Sequence, residues 1–534
     1  MQIRVLRILN HKYFLLFFLW SVLTVINIDK AFHIDDTFHL EASEYIKLNL
    51  GKPMSGFINW DDDPRPIYSA NQPPLFFYLI AFLSSIFGPN EIPLHLFLSI
   101  FTFLGLYYFY QLAQILSVQN PRTLLVLFAF CPAFIINQNL MLDIPVLAII
   151  MGSAYFLLKA NYSNKMIYYS LTALVLTVGL LIKYSILPLF VVLILVILIR
   201  HEYKKLIVLF IPVLAIILLS FWNYIEFGSI HILKRSAGII HIKQLWAFIA
   251  CLGAISMFSI SFVFGLYPKK IIKQLIYCFL AIFMFAIIFF IFDLIQEHQI
   301  SKYLNLIFII NGSLIVLVLL FKLVYSLIIK GLKVFITTDD AVILLYLGSI
   351  SGFVILFAPF MATRHVLLAI PFILLFGHEF IYKATFKINR LSLTITILIG
   401  LLLGISDWKY SDYYRRMASA IDLPKDRNIW TAGHWGWQWY SKLNGMKQYN
   451  MHQSNVSDGD YLVYPGYVRR QNMNKNIKLI VLSKIWEEED ILTFFSVNDF
   501  ASLYSSTMDK PAWRLSKSPI DTIFICKIKI VKEE

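Results

Sequence analysis

The stretch YFLLFFLWSVLTVINIDKAFHIDD, residues 13–36, sets the reading of the whole chain. Its first part, Tyr13–Ile28, is almost wholly apolar and follows Arg4, Arg7 and Lys12. No small-residue cleavage site comes after it, so it reads as a retained signal anchor. Directly behind it stand two adjacent carboxylates, Asp35-Asp36. The loop in which they lie, 29–71, also holds Asp29, Glu41, Glu44 and the run Asp61-Asp62-Asp63. Acids at a membrane edge are costly and are usually kept for function, so chemistry is expected here. A further isolated acid, Asp143, sits inside an apolar stretch.

Beyond that loop the chain is mostly hydrocarbon. Hydrophobic residues make up 59% of it, with a mean hydropathy of +0.70, which excludes an ordinary soluble protein. Aromatic residues at 16% suit a lipid-facing surface with interfacial belts. A net charge of +14 invites a nucleic-acid partner, but the Lys and Arg are spread over short loops between apolar segments. That distribution is membrane topology, and no nucleic-acid partner is expected. The four cysteines, Cys131, Cys251, Cys278 and Cys526, form no CxxC pair, so neither a disulfide framework nor a zinc site follows.

Apolar segments fall at about 13–28, 72–87, 93–116, 123–137, 144–158, 167–182, 184–199, 206–225, 245–265, 275–292, 303–321, 340–359, 365–381 and 391–406. Several are short of the roughly 20 residues that a span needs, so charge must arbitrate. The basic loops 200–205, 268–274, 322–339 and 382–390 are each separated from the next by two segments, which puts them on one side, with the basic N-terminal tail. An even number of crossings must then separate that tail from loop 200–205. One segment in that interval therefore does not cross. The candidate is 72–87, short and opened by Gln72-Pro73-Pro74, which reads as a re-entrant or interfacial helix. The expected fold class is an α-helical polytopic membrane protein with about 13 spans over 1–406, an outer loop 29–92 carrying interfacial helices, and a small mixed α/β domain over 407–534. The acidic loop, Asp143 and that domain share the outer face.

Residues 35–50 carry apolar groups at Phe38, Leu40, Tyr45, Ile46, Leu48 and Leu50, a pattern that predicts an amphipathic helix on the membrane surface. Asp35 and Asp36 then sit at its N-terminus. Caps are often aspartates, so position alone leaves capping and catalysis both open. Asp61-Asp62-Asp63, followed by Pro64-Arg65-Pro66, reads as a solvated loop. In the C-terminal part, strand-like runs occur at Tyr461–Tyr464, Leu479–Leu482 and Thr522–Ile530. Trp430, Trp435, Trp437 and Trp439 form a cluster that reads as a small core or as a sugar-stacking surface.

Five motifs in order carry a resemblance. They are Asp35-Asp36-Thr37 followed by Glu41; Gln72-Pro73-Pro74-Leu75; Asn139-Leu140-Met141-Leu142-Asp143-Ile144-Pro145; Gly179-Leu180-Leu181-Ile182-Lys183; and Thr363-Arg364-His365-Val366-Leu367-Leu368. The set resembles the GT-C glycosyltransferases, more narrowly the protein O-mannosyltransferase-like and aminoarabinose (lipid A) transferase group. The resemblance implies a 13-span GT-C fold and a polyprenyl-phosphate-linked sugar as donor. It further implies an acceptor hydroxyl on a lipid, glycan or protein, and one inverting displacement; with no large domains between the spans, a bacterial inner membrane is expected rather than the endoplasmic reticulum. It makes Asp35 the catalytic base, with Asp36 orienting it or replacing it, and Asp143 the second catalytic acid. Glu41, Gln72, Lys183, Arg364 and His365 are the implied substrate-binding residues, with Lys183 and Arg364 facing the lipid phosphate. Two departures stand out: Asp36 replaces the usual Glu, and Gln72 replaces the Lys of the aminoarabinose transferases. From the residues alone, Lys183 also reads as a snorkelling side chain, and Arg364 and His365 as interfacial anchors. No metal cluster of convincing spacing occurs, although the acidic loop has carboxylates enough for a divalent ion. The rival classes are a lipid-linked glycan flippase or transporter, and a non-catalytic scaffold. The first would show internal repeats and paired mid-span charges; no clear repeat is present.

Overall fold

The computed structural model describes residues 13–70, 72–234, 242–266, 297–424, 426–496, 504 and 510–531. Among them, six helices are long and apolar enough to cross a membrane: Glu91–Ile115, Asp143–Ser163, Tyr203–Phe227, Gln299–Lys330, Asp339–Phe357 and Phe386–Ser419. The chain is an integral membrane protein. Other apolar helices are shorter, among them Phe14–Asn27, Leu75–Phe87, Met166–Leu180 and Tyr184–Ile199. At about 1.5 Å per residue, the 13 residues of Leu75–Phe87 cover only about 20 Å, too little for a hydrocarbon core of roughly 30 Å. The apolar segment 275–292 with Cys278, the basic loop 268–274, and Arg4, Arg7 and Lys12 lie outside the described residues.

Two expected segments are broken. Segment 123–137 divides at Cys131-Pro132 into Pro121–Ala129 and Pro132–Ile136, because proline ends the run that precedes it. Segment 245–265 becomes Lys243–Ile255 and Ser259–Leu266, bent by 94°. Its first half lies directly on the Glu297–Lys330 helix: a Cβ on Gly253 would stand 1.8 Å from the Phe308 carbonyl, and one on Gly312 2.0 Å from that of Ile249. Small residues at a helix crossing permit this backbone contact. Lys322, counted above with a basic loop, is instead buried inside the Glu297–Lys330 helix, where Asp340 (3.5 Å), Glu379 (3.1 Å) and the Phe376 carbonyl (2.8 Å) neutralise it.

The outer loop forms the helix Asp36–Leu48. Its apolar face, Phe38, Ala42 and Ile46, packs on Phe77 and Ala81 of the Leu75–Phe87 helix. Its other face meets the C-terminal domain, so it is clasped between protein layers instead of lying free on the bilayer. The run Asp61-Asp62-Asp63 is likewise not a free solvated loop. It follows strand β1 (Phe57–Ile58), which pairs antiparallel with β2 (Arg65–Pro66), and each acid holds the C-terminal domain. Asp61 pairs with Arg469 at 2.8 Å, Asp62 accepts from the Asn472 backbone N–H and side-chain amide, and Asp63 binds His452.

The helix Phe386–Ser419 runs unbroken through Ser406, where the composition turns polar. After it comes a five-stranded sheet of β3 (Ile429–Thr431), β4 (Lys447–Gln448), β5 (Tyr461–Pro465), β6 (Ile477–Trp486) and β7 (Thr522–Ile530), in the spatial order β4-β3-β5-β7-β6. β3 is parallel to β4 and β5, and β7 is antiparallel to β5 and β6. The helix Trp435–Leu443 crosses from β3 to β4. Trp437 and Trp439 are fully buried, and Trp437 Nε1 donates to Thr431 Oγ1 at 2.8 Å, so these two tryptophans are core. The domain is fastened to the helical body by Tyr413 and Tyr414, both donating to Asp521, and by Trp513 Nε1 on the Ala254 carbonyl.

Candidate active site

The first helix ends at Asn27, and the chain must turn before the Asp36–Leu48 helix begins. It does so through Ile34 at φ 52°. A β-branched residue in the left-handed region is strained, and such strain persists only where the surroundings over-determine it. Asp35 is the N-cap residue, yet its side chain makes no cap hydrogen bond. Its carboxylate turns instead to Arg364, with Oδ2 2.7 Å from Nη1. Arg364 belongs to the short helix Thr363–Leu367 and also reaches the Met141 thioether at 3.1 Å. Its Nε makes no hydrogen bond among the described residues.

Beside this pair stands a second. Asp143, the first residue of the Asp143–Ser163 helix, accepts from Lys183 Nζ at 2.8 Å. The Gly179–Lys183 stretch is in turn held by the Leu75 N–H on the Leu181 carbonyl. That contact brings the Gln72-Pro73-Pro74 segment to the same place, with Gln72 half-buried at the junction. His39 lies between the pairs, its Nδ1 2.8 Å from the Leu140 carbonyl. A carbonyl only accepts, so Nδ1 carries the proton. His365 is within electrostatic reach of Arg364, Lys183 and both carboxylates, and its Nδ1 has no hydrogen bond among the described residues. The structure thus brings together Asp35, Asp143, Lys183, Arg364 and His365.

Glu41 faces another way. Its oxygens accept from the Asn59 N–H (3.1 Å) and from Gln438 Nε2 (2.5 Å), which ties the outer loop to the Trp435–Leu443 helix. Among the described residues, no three His, Cys, Asp or Glu side chains are grouped to hold a metal ion. The Asp61–Asp63 carboxylates are taken up by protein partners.

The adjacent acids part company electrically. Burial alone would push Asp35 upward, but Arg364 and His39 outweigh it and hold this carboxyl below its ordinary value. Asp35 keeps about a third of its side chain exposed. Asp36 is fully buried, and burial pushes it up to about 8, with Asp35 and Asp407 adding like charge. At neutral pH Asp35 is therefore a carboxylate and Asp36 a carboxylic acid. Such separation allows neighbouring acids to differ in role, one a carboxylate and the other its neutral companion. Burial likewise lowers His39 to about 4, so it is neutral.

Behind the pairs lies a polar cluster that the sequence reading did not single out. Lys30 is wholly buried and paired with Asp407, and it donates to Asn139 Oδ1 (2.6 Å) and to the Ile136 carbonyl (2.9 Å). His33 lies 3.7 Å from Asp407, and its backbone N–H donates to Asp36 Oδ2 at 3.1 Å. Tyr504, from the far end of the chain, closes the cluster. A lysine and an aspartate at opposite ends of apolar segments were the only signal available, and nothing in their spacing joins them.

Residues 71–224 match the family of dolichyl-phosphate-mannose-protein mannosyltransferases. No curated protein matches the whole sequence at a significant level. Similar solved structures include ArnT from Cupriavidus metallidurans bound to undecaprenyl phosphate (12% identity, 84% of this chain and 91% of that one, TM-score 0.38). They also include an Archaeoglobus fulgidus oligosaccharyltransferase with Zn and sulfate (10% identity, 84% and 68%, TM-score 0.46). A third is AglB of the same organism with an inhibitory peptide and a dolichol-phosphate (11% identity, 85% and 70%, TM-score 0.43).

Proposed function

We propose that this protein moves a sugar from a polyprenyl-phosphate carrier to an acceptor hydroxyl at the outer face of a bacterial inner membrane, by a single inverting displacement. The observation that carries this is the meeting of two carboxylate–cation pairs, Asp35–Arg364 and Asp143–Lys183, from four separate parts of the chain. The displacement needs one group to take the acceptor's proton as it attacks the anomeric carbon, and Asp35, ionised and about a third exposed, is suited to it. It also needs positive charge where the lipid phosphate departs. Arg364, with its Nε uncommitted, and Lys183 supply it. Asp143 orients Lys183 and faces the sugar or acceptor; Gln72 and His365 border the same space. The acceptor is a lipid, glycan or protein. Mass spectrometry of glycolipids and glycoproteins from cells with and without the protein tests this, since a missing glycoform names both sugar and acceptor. Identical profiles would count against transfer.

Two expectations follow. The outer loop and the C-terminal domain should face the same side, because they are joined through Asp61–Asp63. In intact cells a membrane-impermeant maleimide should label both Lys52→Cys and Gln453→Cys, both exposed positions. Labelling of one alone would refute that orientation.

The second concerns pH. Folded Asp36 keeps its proton up to about 8, whereas an ordinary aspartate releases it near 3.8. Folding stability from this group is thus complete below about 4, falls as pH rises toward 8, and is level above. Ionised Asp36 would place a second anion beside Asp35 and Asp407. The kcat/KM profile should therefore decline above about pH 8, and Asp36→Asn should remove that alkaline limb. An unchanged limb in the variant would assign it to another group.

A further inference from the structure

We propose that Tyr504 is a positioning residue for the Asp35 carboxylate, its phenol oxygen joining the 136–139 turn to the buried Lys30–Asp407 pair. The assignment deepens the proposed transfer reaction and rests on it.

The phenol oxygen accepts from Asn139 Nδ2 at 2.6 Å and from Lys30 Nζ at 3.4 Å. It lies 2.7 Å from the Ile136 carbonyl and 3.1 Å from Asp407 Oδ2, and its single proton goes to one of these acceptors. The ring stands edge-on to His33, with centroids 5.1 Å apart. Tyr504 is 4% exposed. One atom thus gathers two strips of chain. The first, 30–36, runs from Lys30 through His33 to Asp35 and Asp36. The second, 136–143, runs from Ile136 through Asn139 to Leu140, which holds His39, and on to Asp143. These are the strips that carry both candidate catalytic carboxylates.

The first strip needs such holding. It contains the strained Ile34, and a strained turn relaxes unless its flanks are fixed. On one flank the Phe32 N–H donates to Tyr440 at 2.8 Å; on the other stands the Lys30–Asp407–Tyr504 cluster. Both anchors come from the C-terminal part. Burial, with Asp407 close by, pushes the Tyr504 phenol well above its ordinary range, so it remains a donor. Catalytic groups must be held closely, and small misplacements reduce the chemical step more than binding.

Tyr504→Phe keeps the ring and removes one oxygen. In full-length protein in nanodiscs, with a polyprenyl-phosphate sugar as donor, kcat should fall about tenfold or more while the donor KM stays within about twofold and the melting midpoint barely moves. In an Asp35→Asn background the same substitution should cost little more, because the base whose position it fixes is gone. An unchanged kcat, an equal loss in both backgrounds, or a joint rise in KM and fall in melting midpoint would overturn the proposal. A second readout needs no turnover: a thiol introduced by Asp35→Cys should react several-fold faster with a water-soluble maleimide when Tyr504→Phe is added. Unchanged labelling overturns the proposal whatever the reaction. If labelling quickens but the unmodified protein transfers no sugar from any lipid-phosphate donor, the assigned reaction is wrong and the positioning role of Tyr504 stands.

Discussion

Asp35→Asn should leave a folded, membrane-inserted protein that transfers sugar about 10²- to 10⁴-fold more slowly, the usual loss when a general base is removed. Amide and carboxylate are nearly isosteric, so the pocket is kept. What changes is proton acceptance and the partner that Arg364 sees at 2.7 Å. Because Asp35 caps no backbone N–H, the variant loses no helix cap, and its melting midpoint should stay near that of the unmodified protein. Asp36 cannot readily take over at neutral pH while burial keeps it protonated. Full activity in the purified variant would take Asp35 out of the mechanism and give the role to Asp36.

Arg364→Ala should be nearly as damaging, by a different route. The guanidinium holds Asp35 with one nitrogen and has Nε uncommitted, so it can grip a phosphate in a way that an ammonium cannot. Losing a charge-assisted contact in a desolvated site costs about 2 kcal/mol or more, or about a 30-fold rise in donor KM at 1.4 kcal/mol per tenfold. Arg364→Lys should lie between, about tenfold impaired, although it keeps the charge. Adding Gln72→Lys should recover part of that loss, since the 72–75 segment docks beside Lys183. Removing Arg364 also leaves only His39 to oppose burial and Asp143, which raise Asp35, so the acid limb of kcat/KM should move to higher pH. Unchanged KM and kcat in Arg364→Ala would make the arginine a membrane anchor.

Short-range pattern explains what could be read in advance. The Asp35, Asp143, Lys183 and Arg364 motifs each announce themselves by a charge at the end of an apolar run, and all four meet. Apolar length was a poorer guide, because proline at 132 and the 94° bend between Ile255 and Ser259 break segments that hydropathy shows as continuous. The strands Ile429–Thr431 and Lys447–Gln448 are too short to show a period of two. The tie from Glu41 to Gln438 could not be read in advance, because 397 residues separate them. Lys30, Asp407 and Tyr504 were invisible for the same reason: a buried ion pair is a property of the folded chain, and no local spacing encodes it. The acidic run 61–63 looked solvated because its partners, Arg469, Asn472 and His452, lie in the domain that covers it.

That long reach has a consequence for the protein's own birth. Lys30 and Tyr504 are separated by 474 residues. Chains emerge at about 5–20 residues per second, so the first outer loop is delivered tens of seconds before the residues that tie it down. During that interval the nascent protein is inserted, with an unneutralised lysine and an untethered acid loop at the bilayer edge. A chain that stops short of Tyr504 therefore lacks this contact between the 30–36 strip and the C-terminal part.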